Sequence, residues 1–202
     1  MRVEIVKEID PGDSTLEIPW ASPEDLRLRY VDLKAHPASI NQLGECRRFP
    51  PLGDFLRQVN SQESLFRTAK CDAWATSDLA DDERLDFELP FKMGSYVDLL
   101  FDHSEFNAAL GHQLQLGEKL RQALASLRVQ AQLEVCVRRC LFHPEERWGY
   151  YLTFFTHAYG VNPGEAAREW ARALEAQGKA LMRIDSILRK VVATPPLGNP
   201  SP

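Results

Sequence analysis

One pattern occurs twice in this chain and limits the folds open to it: two segments of strand-like hydrophobicity followed by one of helical period. The first copy runs from about Leu65 to Leu127, the second from about Leu133 to Val192. In the first, Leu65 to Thr76 alternates as a strand, and Met93 to Asp102 places Val97, Leu99 and Phe101 on one face. Such alternation marks a strand with one face buried. Phe106, Leu110, Leu114, Leu120, Leu124 and Leu127 then recur near helical spacing behind Ser104, a residue suited to capping a helix. Gly111 and Gly117 weaken that helix unless they serve close packing on the sheet.

The second copy repeats the order. Leu133 to Phe142 sets Leu133, Val135, Val137 and Leu141 on one face, a short polar connection follows, and Trp148 to Tyr159 reads as an aromatic-rich strand. That strand has aromatics on both faces, as expected of a central strand or one covered on both sides. Asn162-Pro163-Gly164-Glu165 then opens a helix with a capping residue, a proline at the first position and a glutamate that completes a capping box. Its expected buried stripe is Ala167, Trp170, Leu174, Leu181, Ile184, Leu188 and Val191. No sequence identity links the two copies, so the repeat is one of pattern.

The expected fold is therefore α+β: an antiparallel sheet built from two strand–strand–helix units, with two long helices packed on one face. Residues 1–60 form an N-terminal strand and short-helix segment packed on this main domain of residues 61–193. Within it, Asp10-Pro11-Gly12-Asp13 is turn chemistry between short strands. Leu26, Leu28 and Tyr30 alternate as a strand, with a helix from Ser22-Pro23-Glu24 as the competing reading. A short helix spans Pro37 to Gly44, and Leu52, Phe55, Leu56 and Val59 share one face of another. The tail, residues 194–202, is Pro-rich with nothing to bury and is expected to be disordered.

Length and composition fit one substantial domain able to bury a core without disulfides or a structural metal. No apolar run is long enough for a bilayer, and Met1 to Val6 lacks the apolar core of a signal peptide. Four cysteines among 202 residues agree with a reducing compartment, so a cytoplasmic protein is expected. Charge is uneven: residues 1–102 carry a net −8 and residues 103–202 a net +3. An acidic first half argues against nucleic acid as a partner.

The candidate chemistry is sparse. Strand parity gathers Lys70, Asp72, Trp74, Tyr96 and Asp98 on the sheet face away from the helices, and His157 joins them from the aromatic strand. A symmetric first hairpin brings Asp72 close to Asp98, and two facing carboxylates make an acid/base or cation site. The plainer reading is a solvated polar face. Cys136 and Cys140 share a strand face but stand about 13 Å apart at the strand rise, too far to hold one ion. The acidic linker Ser77–Glu88 lacks the ligand spacing of a calcium loop and reads as a solvated connection or a docking surface for a basic partner. No Gly-rich phosphate loop or nucleophile elbow occurs, so no metal and no cofactor is expected.

Two functions follow. One is a non-enzymatic binding or interaction module that uses the sheet face opposite the helices, self-association included. The other is an enzyme with a carboxylate acid/base site on that same face, in which Tyr96 orients the substrate.

Overall fold

A computed structural model describes residues 1–193 except Leu26, Asp81, Asp82, Arg84 and Leu85, with the backbone alone for residues 190–193. The Pro-rich tail, Leu26 of the expected N-terminal strand, three charged linker residues and the Val191 side chain lie outside the described residues. The strands are β1 (Arg2–Glu8), β2 (Thr15–Ile18), β3 (Phe66–Thr76), β4 (Phe91–Phe101), β5 (Ala131–Phe142) and β6 (Arg147–Gly160). A 3-10 turn, Pro37–Gln42, leads into helices α1 (Gly44–Arg48) and α2 (Pro50–Val59). Then come α3 (Ser104–Asn107), α4 (Leu110–Leu124) and α5 (Pro163–Ala193).

The strands form one sheet in the order β1-β5-β6-β4-β3, with β2 also on β5. The sheet is mixed, and this corrects the expectation of a purely antiparallel one. β3–β4, β4–β6 and β5–β6 are antiparallel, whereas β1 and β2 both run parallel to β5. Hairpins impose antiparallel pairing only on strands joined by short loops. β1 and β5 are separated by most of the chain, so their direction is free. β1 covers Gln132 to Arg138 and β2 continues along Arg139 to Phe142, so the two act as one edge strand broken by a turn. Asp10 to Asp13 is that turn, closed by the Asp13 N–H on the Asp10 carbonyl at 2.9 Å. The expected strand through Leu28 and Tyr30 reduces to a single bridge between Ala21 and Arg29, and Ser22 caps a turn rather than a helix.

Both long helices lie on one face. Val135 and Ile5 approach the position a Gly117 side chain would take, at 3.4 and 3.5 Å, so this glycine brings α4 down onto the sheet. Trp170 of α5 is buried, and its indole N–H donates to Ser95 Oγ of β4 at 2.9 Å. Between helices and sheet lie Leu133, Val135, Val137, Leu152, Phe154, Val97 and Leu99, with α2 adding Leu52, Phe55, Leu56 and Val59. The capping signal holds: Asn162 Oδ1 accepts from the Glu165 N–H at 3.0 Å, and Glu165 Oε2 accepts from the Val161 N–H at 2.9 Å. The buried stripe is shifted at its start, because Ala166 is buried and Ala167 is exposed.

The first long helix departs from expectation. It is split at Ala108-Ala109, and Ser104 lies inside the short α3 rather than capping it. Asn107 is the cause. Its side chain is fully buried, with Oδ1 accepting from the Phe101 N–H at 2.9 Å and Nδ2 donating to the Phe101 carbonyl at 2.8 Å. It satisfies the end of β4, and the helix axis breaks to let it reach there.

Candidate functional site

Register defines the sheet face away from the helices. Asp72, Tyr96, Phe155 and Glu134 lie on one rung across β3, β4, β6 and β5, and Trp74, Gly94, His157 and Gln132 on the next. Asp98, Thr153 and Cys136 occupy the rung on the other side. Lys70, Asp72, Trp74, Tyr96, Asp98 and His157 therefore do share this face. Parity in the first half of β3 is different from the sequence expectation. A bulge between Thr68 and Cys71 inserts a residue, so Phe66 and Thr68 face the helices together with Cys71 and Ala73, while Ala69 turns away. An extra residue in a strand reverses every side chain beyond it.

Both ends of the face are covered. At one end Leu16, Ile18, Trp20 and Tyr30 pack over Ala69, Leu100, Cys140 and Tyr151. The Trp20 indole N–H donates to the Ala69 carbonyl at 2.7 Å, capping a backbone acceptor at the bulge of an edge strand. At the other end the acidic linker folds back. Glu83 accepts hydrogen bonds from the Lys92 ammonium and, at 2.9 Å, from the Tyr159 hydroxyl, and Phe87 stacks on the Tyr159 ring at 3.7 Å. Asp86 pairs with Arg2 at 3.2 Å. These linker acids serve the fold itself. Burial alone would raise the Glu83 pKa, but the hydrogen bonds from Lys92, Tyr159 and the Ala80 N–H hold it below the usual carboxylate range.

Between the two covers lies a strip of half-buried Trp74, Tyr96, Phe155 and His157, with Asp72 exposed. The rings are in register. Trp74 meets His157 edge-on at 6.0 Å, Tyr96 and Phe155 lie 6.1 Å apart, and the Arg138 guanidinium sits 5.3 Å over Phe155. Trp74 lies on Gly94, where an added Cβ would come within 2.6 Å of the indole. Arg138 is held in place by Glu8 of β1 at 2.7 Å. Phe155, Glu134 and Arg138 belong to this strip as much as the residues picked from the sequence. The signal for them was the polar parity of the second hairpin, Glu134 and Arg138 against Leu133, Val135 and Val137.

The carboxylates do not form a facing pair. Asp72 sits directly opposite Tyr96, and its Oδ1 accepts from the Ala73 N–H at 2.7 Å. Asp98 is only 4% exposed and accepts from the Thr153 hydroxyl at 2.6 Å. Desolvation pushes its pKa up to about 6, against the Thr153 hydrogen bond and the charges of Arg138 and Lys70. The Tyr96 hydroxyl is pushed up by burial and by the Asp98 and Asp72 charges. His157 is driven down to about 4, first by burial and then by the Lys92 charge, so its ring is neutral at pH 7. Lys70 is drawn aside, its ammonium 5.0 Å over the Trp20 ring.

The principal clefts among the described residues are lined elsewhere and include neither Asp72, Tyr96 nor Asp98. No group of three metal-ligating side chains converges among the described residues, and Cys136 and Cys140 lie buried on β5 without a disulfide. No helix among them is long and apolar enough to cross a membrane. No family model, curated protein or solved structure matches the chain.

Proposed function

We propose that this chain is a non-enzymatic binding module, and that its docking surface is the aromatic strip between the two covers of the sheet. The observation that carries this reading is the ring ladder of Trp74, Tyr96, Phe155 and His157. These residues stay half-buried where both neighbouring parts of the face are sealed by the chain itself. Aromatic side chains at the centre of a surface with charges around them are the usual anatomy of a protein interface. Both signs occur on the strip, Asp72 and Glu134 beside Arg138, which suits a second copy of the chain about a two-fold axis. The same acids oppose a phosphate backbone. Four free cysteines favour a cytoplasmic setting.

Light scattering of the full chain across the micromolar range tests this. We expect a concentration-dependent dimer, and a monomer for the double variant Tyr96→Glu/Phe155→Glu with unchanged circular dichroism. A strict monomer at every concentration overturns the self-association.

The second reading, an acid/base enzyme, is favoured by one observation: the Asp98 carboxyl is buried and titrates near pH 6, the range of a working general acid. Against it stand the 4% exposure of Asp98, its absence from the principal clefts among the described residues, and the pairing of Asp72 with Tyr96 rather than with Asp98.

A further inference from the structure

The end of the sheet covered by Leu16, Ile18, Trp20 and Tyr30 contains a feature unrelated to the aromatic strip. A cleft of about 580 Å³ opens there, between the N-terminal segment, the start of β3 and the β5–β6 connection. Among its lining residues are Arg67, Arg147, His143 and Tyr30, with Ile18 and Phe142 as apolar wall. Three of these polar residues hold a buried atom with no hydrogen-bond partner: Arg67 Nε, Tyr30 Oη and His143 Nε2. Buried donors without acceptors are rare in folded proteins, because each forfeits its hydration. The Tyr30 hydroxyl stands beside the Arg67 guanidinium, so the two present their polar atoms to one point of the cleft, where a partner supplied from outside the chain would complete them.

The charges agree. Neither Arg67 nor Arg147 forms an ion pair among the described residues, although both guanidiniums act on the buried Cys140 thiol in the sheet below. The carboxylate of Asp102, which also lines the cleft, is engaged by Lys34 at 2.8 Å. Glu145 lies at the rim, and Glu17 Oε2 stands 3.4 Å from His143 Nε2 without a hydrogen bond to it. Counting Lys34 with Arg67 and Arg147, the three acids bring the cleft to near neutrality, with the two guanidiniums unpaired among the described residues as its local positive charge. That balance favours a single negative charge over the double charge of a phosphate monoester.

We infer that this cleft binds a small organic carboxylate. Its oxygens accept from the Arg67 guanidinium and the Tyr30 hydroxyl, and its apolar body rests against Ile18 and Phe142. A planar guanidinium matches the two oxygens of a carboxylate. The volume lies in the range of small-molecule sites, and an apolar wall with a few polar groups is their usual composition. The site does not depend on the aromatic strip, which lies nearer the middle of the sheet.

The test is calorimetric titration of the full chain with benzoate, acetate, inorganic phosphate and, as the uncharged control, benzyl alcohol. Benzoate is expected to bind saturably, acetate more weakly, and benzyl alcohol not at all. Arg67→Gln is expected to weaken benzoate roughly tenfold or more. Arg147→Gln changes an exposed residue, so it keeps the test valid if the first variant fails to fold, and it is expected to act in the same direction. The inference is overturned if neither carboxylate binds saturably, if benzyl alcohol binds as well as benzoate, or if both variants bind benzoate like the parent. Saturable phosphate binding without benzoate binding overturns the choice of ligand.

Discussion

Asp98 and His157 sit on neighbouring strands of the same sheet face, and burial moves their pKa values in opposite directions. Asp98 rises from 3.8 to about 6, so between those values the native state holds a proton that the unfolded chain has released. Its contribution to stability is full below pH 3.8 and is lost as the pH climbs through 6. His157 falls from 6.5 to about 4, so its contribution is full above 6.5 and is lost as the pH drops through 4. Between pH 4 and 6 the two slopes oppose each other. We expect Asp98→Asn, which can still accept from Thr153, to stabilise the protein at pH 8 by on the order of 2 kcal/mol and to change little at pH 4. Because His157 is then unopposed, the variant should lose stability on acidification more steeply than the parent. Urea melts at pH 4, 5, 6 and 8 measure this. A destabilised variant at pH 8 would mean that Arg138 and Lys70 more than repay the burial of the carboxylate.

Elements were legible in proportion to how much of their pattern is local. α5 could be read from its cap, its proline and its apolar stripe, all within a few turns of one another. α2 could be read from Leu52, Phe55, Leu56 and Val59. The bulge in β3 could not, because nothing in Ala69-Lys70 marks it; the extra residue is accommodated by Trp20 and by the register of β4, both remote in sequence. The site suffered accordingly. Parity placed Asp72, Trp74 and Tyr96 together on the face away from the helices, where the register has them, but the assumed symmetric hairpin set Asp72 beside Asp98, and the register sets it opposite Tyr96. The break between α3 and α4 has a similar origin, since Asn107 answers to Phe101 rather than to its own helix. Asn107→Ala leaves the Phe101 N–H and carbonyl unmatched in a buried setting, and should cost about 2–3 kcal/mol in chemical denaturation. A loss below about 0.5 kcal/mol, the range of a neutral surface change, would remove Asn107 as the reason for the break.

For the molecule as a whole, the N-terminal segment is both edge and cover: β1 and β2 complete one side of the sheet, and Leu16, Ile18, Trp20 and Tyr30 close one end of its outer face. Cys140 lies beneath that cover, fully buried, its pKa raised to about 12 chiefly by burial. Its reaction with a disulfide reagent therefore requires the segment to lift. Trp20→Ala removes the hydrogen bond to Ala69 and should speed labelling of Cys140 severalfold while leaving Cys46, at the far side under α2, unchanged. Equal acceleration at both thiols, read by mass spectrometry, would indicate global unfolding instead.

The parallel pairing of β1 with β5 also has a bearing on how the chain is made. Glu8 meets Arg138 across a separation of 130 residues. At ordinary ribosomal speed the first strand emerges on the order of ten seconds before its partner exists. During that interval Val3, Ile5 and the open backbone of β1 have no edge of their own to join. The Arg and Glu residues spaced along β1, Arg2, Glu4 and Glu8, are then what keeps the nascent strand from pairing with a stranger.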